Sequence, residues 1–473
     1  AEENYTRHVD PKIGTGGHGH VFVGANVPFG LVQVGPTSIP QTWDWCSGYH
    51  ASDSTVIGFS HTHLSGTGIG DLFDITVMPV VGEVTYARGE ENDPASGLWS
   101  YADRTREITK PGYYSVPLVR YGIRAELTAT ARVGLHRYTF PASDAAAVVF
   151  DLENGGCWDK ATDTGFRFSD DSTRIAGWRC STGWAKNQEV YFVAEFSKPA
   201  KGISYLQPGE IDDSKMPRIA ARYARVDFDT AEGEQVLVKV ALSPVSIEGA
   251  KANLAAELPG WDFDATAAAA DKAWNDELSK VKIETEDETS KRIFYTALYH
   301  TMVAPSLFCD VNGDYRGADG KVHENPGRDT YTTFSLWDTY RAAMPLMTVL
   351  HPERMPDIIQ TMLHIADEQG RLPVWHLWGN ETDCMVGNPG IVAVADAIVK
   401  GIGGFDREKA FEAIRKTAMN PDRGNGLRME YGYIPCEMFN EAVAYDMEYA
   451  LADGAAARAA EALGKAEDAK YFE

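Results

Sequence analysis

From Tyr5 to about Leu258, apolar side chains alternate with polar ones or run together briefly between breaks of Gly, Pro, Asn and Asp. Residues 74–81, 114–121, 124–132, 146–152, 190–196 and 235–242 show this pattern with β-branched or aromatic side chains, which predicts strands. Their number and spacing predict a large antiparallel sandwich. Beyond Pro259 the period lengthens. Residues 266–281, 288–302, 335–349, 352–367, 390–400, 407–418 and 442–462 place apolar side chains at i, i+3 and i+4, predicting about seven helices.

The chain therefore divides into an N-terminal β-sandwich over 1–258, a linker helix within 259–284 and a helical domain over 285–473. Paired helices joined by loops of differing length suggest an α/α toroid, which when closed by six hairpins needs about twelve helices. The final stretch, 455–473, is still amphipathic at Tyr471 and Phe472, with neither a Gly or Asn cap nor a Pro stop. The expectation is half of a toroid, in a piece of a longer chain.

Charge narrows the partners. Lys and Arg number 44 against 68 Asp and Glu, a net charge of −24. Without a basic patch to release counterions, nucleic acid and anionic lipid are excluded. Aromatic residues make up 11% of the chain, too many for a disordered or fibrous protein. No stretch approaches the roughly 20 consecutive apolar residues of a membrane-spanning helix. The opening Ala1-Glu2-Glu3-Asn4, without initiator Met or apolar leader, suits a mature exported chain, although a start at a domain edge looks the same. Six cysteines are widely spaced without a Cys-x-x-Cys pair. A Cys157–Cys180 disulfide is conceivable in an oxidising compartment, with buried free thiols the alternative.

Several motifs carry candidate chemistry. Gly14-Thr-Gly-Gly-His18-Gly-His20 opens a glycine-rich stretch reaching Gly30, which implies backbone brought close to another group and positive φ at several positions. His18-x-His20 and His61-x-His63 could each present two imidazoles on one strand face, but no third ligand follows at a fixed spacing. Histidines hydrogen-bonding to sugar or backbone are the better reading. Trp43-Asp44-Trp45-Cys46-Ser47-Gly48-Tyr49-His50 sets aromatics among polar groups; a rigid ring suits the C–H face of a pyranose, while Asp and His fix hydroxyls. A hydrophobic plug is the alternative.

In the helical half, Trp337 and Asp338 begin a helix, as a pocket wall or, with Arg341, as an exposed ion pair. Residues 373–387 offer Asn380, Glu381 and Asp383, hard oxygens of the kind calcium takes or side chains that cap the next helix. Asp310-Val-Asn312-Gly-Asp314 imitates a calcium loop, but Lys321 stands where the bidentate Glu belongs, leaving a polar turn.

Taken together, Gly14–Gly30, Trp43–His50, Gly58–Gly68, Phe334–Arg341, Leu372–Gly387 and Tyr431-Gly-Tyr-Ile-Pro435 resemble glycoside hydrolase family 92, the calcium-dependent exo-acting α-mannosidases of bacteria. The resemblance implies an N-terminal β-sandwich, linker helices and a C-terminal (α/α)6 barrel. It also implies an inverting mechanism, in which one carboxylic acid protonates the glycosidic oxygen and a carboxylate about 6.5–9.5 Å away activates water. Calcium would bind the mannose 2- and 3-hydroxyls and favour the distorted ring of the transition state.

Trp43, Asp44 and Cys46, with Trp337 and Asp338, resemble the wall of a mannose pocket shared by both domains. His18 and His63 look like its support, and Asn380 and Glu381 like pocket or metal-shell residues. The family's acid and base are expected beyond Glu473. The reading is an exported or periplasmic α-mannosidase acting on glycans or mannans; the rival is a non-catalytic glycan-binding protein.

Overall fold

The computed structural model describes residues 2–207 and 219–473. They fall into two compact units, Ala1–Val311 and Asn312–Glu473.

The first unit is built on two sheets. A six-stranded sheet runs in the order Gly35–Thr37, Gly58–Ser60, Thr76–Val81, Ser143–Asp151, Tyr223–Thr230, Gly202–Leu206, and every pairing in it is antiparallel. A nine-stranded sheet runs Ile219–Ala220, Lys160–Phe166, Arg174–Thr182, Gln188–Phe196, Glu234–Ser243, Val133–Phe140, Ile123–Ala129, Tyr113–Leu118, Ile108–Lys110, again antiparallel throughout. Aromatic rings join the two inner faces. Phe150 stacks on Phe192 at 6.1 Å, Phe196 meets Phe228 at 5.9 Å, and Phe59 meets Tyr138 at 6.2 Å. All six predicted strands are present.

Residues 247–257, read from sequence as part of the sandwich, form a helix instead. Ser246 caps it by accepting the Gly249 N–H at 2.9 Å. Ile247, Ala250 and Leu254, together with Phe263 of helix Phe263–Leu278, cover Val133, Trp178, Val193 and Ala241 on the outer face of the large sheet. That sheet is thus buried on both faces, which explains why strand Glu234–Ser243 reads as nearly continuous apolar sequence.

One polar knot lies inside the sandwich. Arg179, on strand Arg174–Thr182, has no solvent exposure. Its guanidinium donates to Asp74 Oδ1 at 2.7 Å, to the Leu152 carbonyl at 2.9 Å and to Asp159. Asp74 also accepts Thr62 Oγ1 at 2.7 Å and Gln188 Nε2 at 2.5 Å.

The histidines nearby are equally enclosed. His61 and His136 face each other Nε2 to Nε2 at 2.9 Å, while His61 Nδ1 reaches the Ile75 carbonyl at 2.6 Å and His63 Nδ1 the Gln33 carbonyl at 2.8 Å. Burial lowers His61 and His63 to about 4 and pushes His136 well below its ordinary value.

The second unit is helical. Helices Met355–Gln369, Pro389–Val399, Arg407–Ala418 and Ala442–Ala462 pack together through Ile358, Met362, Ile391, Val394, Ile398, Ile414 and Ala456. The predicted helix 335–349 divides into Leu336–Thr339 and Ala343–Leu350. A start at Ala343 puts Pro345 in the first turn, where its missing N–H costs nothing. Residues 455–473 are likewise broken: Ala442–Ala462 ends before Gly464, at φ 72°, and Ala466–Phe472 forms a separate short helix. Eleven α-helices occur among the described residues, the extra ones being Ile247–Glu257, Asn425–Tyr431 and two short pieces from those divisions.

Two outcomes are expected. Arg179→Met leaves two buried carboxylates uncompensated and lowers unfolding free energy by about 3–5 kcal/mol, seen as an earlier urea midpoint, with Arg179→Lys intermediate. His61, His63 and His136 stay neutral in ring-nitrogen NMR at a pH of about 5.5, where an exposed imidazole of ordinary value near 6.5 is mostly protonated. Because their folded values lie below the unfolded one, their contribution to stability is full above a pH of about 6.5 and is lost as pH falls from there toward about 4.

Candidate functional site

In the first unit the glycine-rich stretch is irregular backbone held tight against itself. Gly14 and Gly17 take positive φ, 91° and 55°. Gly19 has ordinary φ but no room: a Cβ there would lie 1.7 Å from the Gly14 carbonyl oxygen. This folding, rather than a strand, sets the directions of His18 and His20, so the two do not share a strand face.

Both imidazoles turn to Asp44, on the short 3-10 turn Trp43–Trp45. His18 Nδ1 is 2.6 Å from Asp44 Oδ1, and His20 Nε2 is 3.4 Å from the same oxygen. The hydrogen bond from His18 holds the Asp44 carboxyl below its ordinary range, while burial lowers His20. Trp43 lies alongside. Its Nε1–H donates to the Gly68 carbonyl at 2.9 Å, its ring meets the His20 ring at 4.2 Å nearly edge-on, and half of the residue remains exposed. The result is a fixed aromatic surface next to a carboxylate bracketed by two imidazoles. Such an arrangement can stack on a sugar face and accept hydroxyl protons.

The other predicted residues of this unit lie beneath. Trp45 stacks on His50 at 4.5 Å and donates to Asp53 Oδ2 at 2.8 Å. His63 is enclosed between Phe22 and Phe73, each 5.1 Å away. A Cβ on Gly48 would come within 3.2 Å of its ring, so this imidazole is the floor under the turn. Cys46 is fully buried. No Cys157–Cys180 disulfide forms: Cys180 packs under the sheet-covering helices, Cys157 Sγ donates to the Thr42 carbonyl at 3.6 Å, and none of the six cysteines is in a disulfide.

In the second unit a three-stranded sheet, Phe334–Ser335, Trp375–Leu377 and Asn380–Glu381, joins the two predicted motifs, pairing Ser335 with Trp375 and His376 with Glu381. Asp338 is exposed and accepts Ser335 Oγ at 2.7 Å. Arg341 does not pair with it. The guanidinium lies over the Trp337 ring at 4.6 Å and donates to Glu448 Oε1 at 2.9 Å, a partner that sequence spacing alone did not reveal. The indole N–H of Trp337 is buried and has no hydrogen-bond partner among the described residues.

Glu381 has a different occupation. Its carboxylate accepts the Val374 N–H at 2.7 Å and Gln369 Nε2 at 3.1 Å on one oxygen, and the Trp375 and Asp383 N–H groups at 2.9 and 3.1 Å on the other. Asn380 Nδ2 donates to the Leu377 and Trp378 carbonyls, and Asp383 pairs with Arg371. Glu381 is spent largely on the loop's own backbone and Asp383 on Arg371, so the loop is not a ready calcium cage. Nor does it cap the following helix, whose N-cap Asn388 makes no side-chain cap bond. The turn Asn312–Asp314 is closed by its own side chains, as predicted. A groove of about 270 Å³ between helices Met355–Gln369 and Arg407–Ala418 is lined by none of the sequence-predicted site residues.

The geometry can be set beside known proteins. Residues 8–243 match the Glycosyl hydrolase family 92 N-terminal domain and residues 249–473 the Glycosyl hydrolase family 92 catalytic domain. The structure is similar to that of a family 92 α-mannosidase from Bacteroides thetaiotaomicron solved in complex with mannoimidazole, with TM-score 0.94 and 38% identity over 99% of this chain and 63% of that one. An inverting family 92 mannosidase from Bacteroides thetaiotaomicron VPI-5482 is similar at TM-score 0.88 and 28% identity, over 100% of this chain and 64% of that one. A curated relative from Arthroderma benhamiae, described as an uncharacterized secreted glycosidase, is 25% identical over all of this chain and 61% of its own length. The chain thus spans less than two thirds of the length of these relatives. Matched along nearly its whole length by the two domains of one family, it belongs to glycosyl hydrolase family 92.

Proposed function

We propose that this chain is part of an exported exo-acting α-mannosidase that removes terminal α-linked mannose from glycans or mannans with inversion at the anomeric carbon. The observation that carries this reading is the Asp44 cluster. Trp43 offers a half-exposed ring for the apolar face of a pyranose, and Asp44, kept ionised by His18, accepts hydroxyl protons beside it. His63 and Cys46 act through position, fixing the turn from below. Trp337, with a buried indole N–H that lacks a partner among the described residues, and exposed Asp338 are the corresponding contact candidates of the helical unit.

Hydrolysis with inversion needs an acid at the glycosidic oxygen and a base for water about 6.5–9.5 Å from it. Glu381 is saturated by backbone donors and serves neither role. We assign both groups to the part of the family's catalytic domain outside these 473 residues. Exposed Val443, Met447 and Leu451, at i, i+4 and i+8 on helix Ala442–Ala462, support further helices packed on that face, in keeping with half of a toroid. Calcium is the proposed cofactor, and since both Glu381 oxygens are engaged by backbone and Gln369 donors, that carboxylate is not proposed as a ligand.

The full-length protein is therefore expected to release mannose from an α-mannoside as the β-anomer, read by proton NMR in the first minutes. Exhaustive calcium chelation should abolish release and added calcium restore it; turnover in its absence would refute the metal requirement. Trp43→Ala and Asp44→Asn each remove a contact of about 1.5–3 kcal/mol and should lower kcat/KM about 10- to 100-fold with unchanged thermal stability. Glu381→Gln, in contrast, should lower stability, because an amide cannot accept four donors.

A further inference from the structure

Two indoles rest on one glycine-rich ribbon. Residues 66–70 read Gly-Thr-Gly-Ile-Gly. Trp43 lies on Gly68, where a Cβ would come within 2.6 Å of its ring, and Trp158 lies on Gly70, where a Cβ would come within 2.9 Å of its ring. Ile69, between them, is buried. Two residues of chain span at most about 7 Å, so the rings lie against neighbouring points of the same backbone. The loop that carries Trp158 is pinned there by its main chain: Gly156 N donates to the Leu72 carbonyl at 3.0 Å and Trp158 N to the Gly70 carbonyl at 3.2 Å. Cys157 Sγ ties the same loop to the turn of Trp43 by donating to the Thr42 carbonyl at 3.6 Å, and the next residue, Asp159, is held by Arg179. Trp158 nevertheless keeps 41% of its surface exposed, beside 50% for Trp43.

We propose that Trp158 is a second sugar platform, stacking on the pyranose linked to the one held at Trp43 and Asp44. The assignment rests on the sugar-binding reading of the Asp44 cluster and extends it by one unit. An indole fixed at its backbone and left open to water offers a ring face at little cost in lost freedom. A pyranose has one apolar C–H face and a rim of hydroxyls, so a chain of them suits two separate rings flanked by Asp44 and His18 better than a continuous apolar protein surface does. The loop around Trp158 and the turn of Trp43 share the Gly68–Gly70 ribbon and the Thr42 carbonyl, which keeps the two platforms in fixed register. The ligand class is therefore a neutral glycan of at least two hexopyranose units, rather than a mannoside with a small leaving group.

The test is titration calorimetry of the full-length protein with a thio-linked α-mannobiose and with methyl α-thiomannoside, two ligands that resist hydrolysis. The wild type should bind the disaccharide more tightly. Trp158→Ala should lower the ratio of the two affinities about 10-fold, the worth of about 50–60 Å² of apolar contact. Trp158→Phe, which keeps a ring, should retain most of the ratio, and Trp158→Gln gives the same readout if the alanine variant does not fold. Trp43→Ala should weaken both ligands. Because binding is read without turnover, the two readings separate: a protein that binds both ligands and releases no mannose loses the mannosidase assignment, while a ratio that falls with Trp158 still supports the second platform. A ratio unchanged in the variants, as for a ring covered by the rest of the chain, an equal loss of both ligands, or no binding of either by the wild type would overturn the proposal.

Discussion

A guanidinium shut away from water between two sheets can be tolerated only if its own charge and N–H groups are answered. Arg179 meets that condition with the Asp74 and Asp159 carboxylates and the Leu152 carbonyl. Its strand belongs to the nine-stranded sheet, while Asp74 and Leu152 flank strands of the six-stranded one. The knot therefore fixes one sheet against the other at a particular point. Asp74 ends the segment that begins at His61, and Asp159 ends the loop that carries Cys157. Both segments lead to the Trp43–Trp45 turn: His63 is its floor, and Cys157 touches the Thr42 carbonyl.

On that base the candidate sugar site needs little further design. Trp43 is held by one hydrogen bond to a backbone carbonyl and by the edge of His20, and Asp44 by His18. A ring restrained in this way loses little freedom on binding, and a carboxylate kept ionised by its neighbours presents lone pairs rather than a proton. The glycines serve the same end: at Gly19 there is no room for a side chain, so the loop folds back far enough for both imidazoles to reach one carboxylate.

The helical unit shows the opposite use of similar residues. Glu381 and Asp383 sit in a loop whose composition suits a cation, yet their oxygens answer amides and Arg371. Where so short a hairpin runs out of ladder partners, the N–H groups of Val374, Trp375 and Asp383 must find other acceptors, and a carboxylate with four lone-pair sites is an efficient one.

The amino-acid sequence by itself determined the order of the elements, because the switch from period two to period 3.6 is a local property of side-chain direction. It also brought forward the rare groupings, Gly14–His20, Trp43–His50 and Leu372–Gly387, that carry the family likeness. Helix Ile247–Glu257 escaped that reading, since its Ala-rich face is weakly patterned and its burial comes from the sheet it covers. Tertiary structure alone decided which of the candidates act together. His18 turned to Asp44 and His63 to the core, Cys157 reached the Thr42 carbonyl while Cys180 packed under the sheet-covering helices, and Glu381 was drawn to its own backbone. Those choices rest on loop closures between residues distant in sequence, and no local periodicity encodes which distant groups will be brought within hydrogen-bond range.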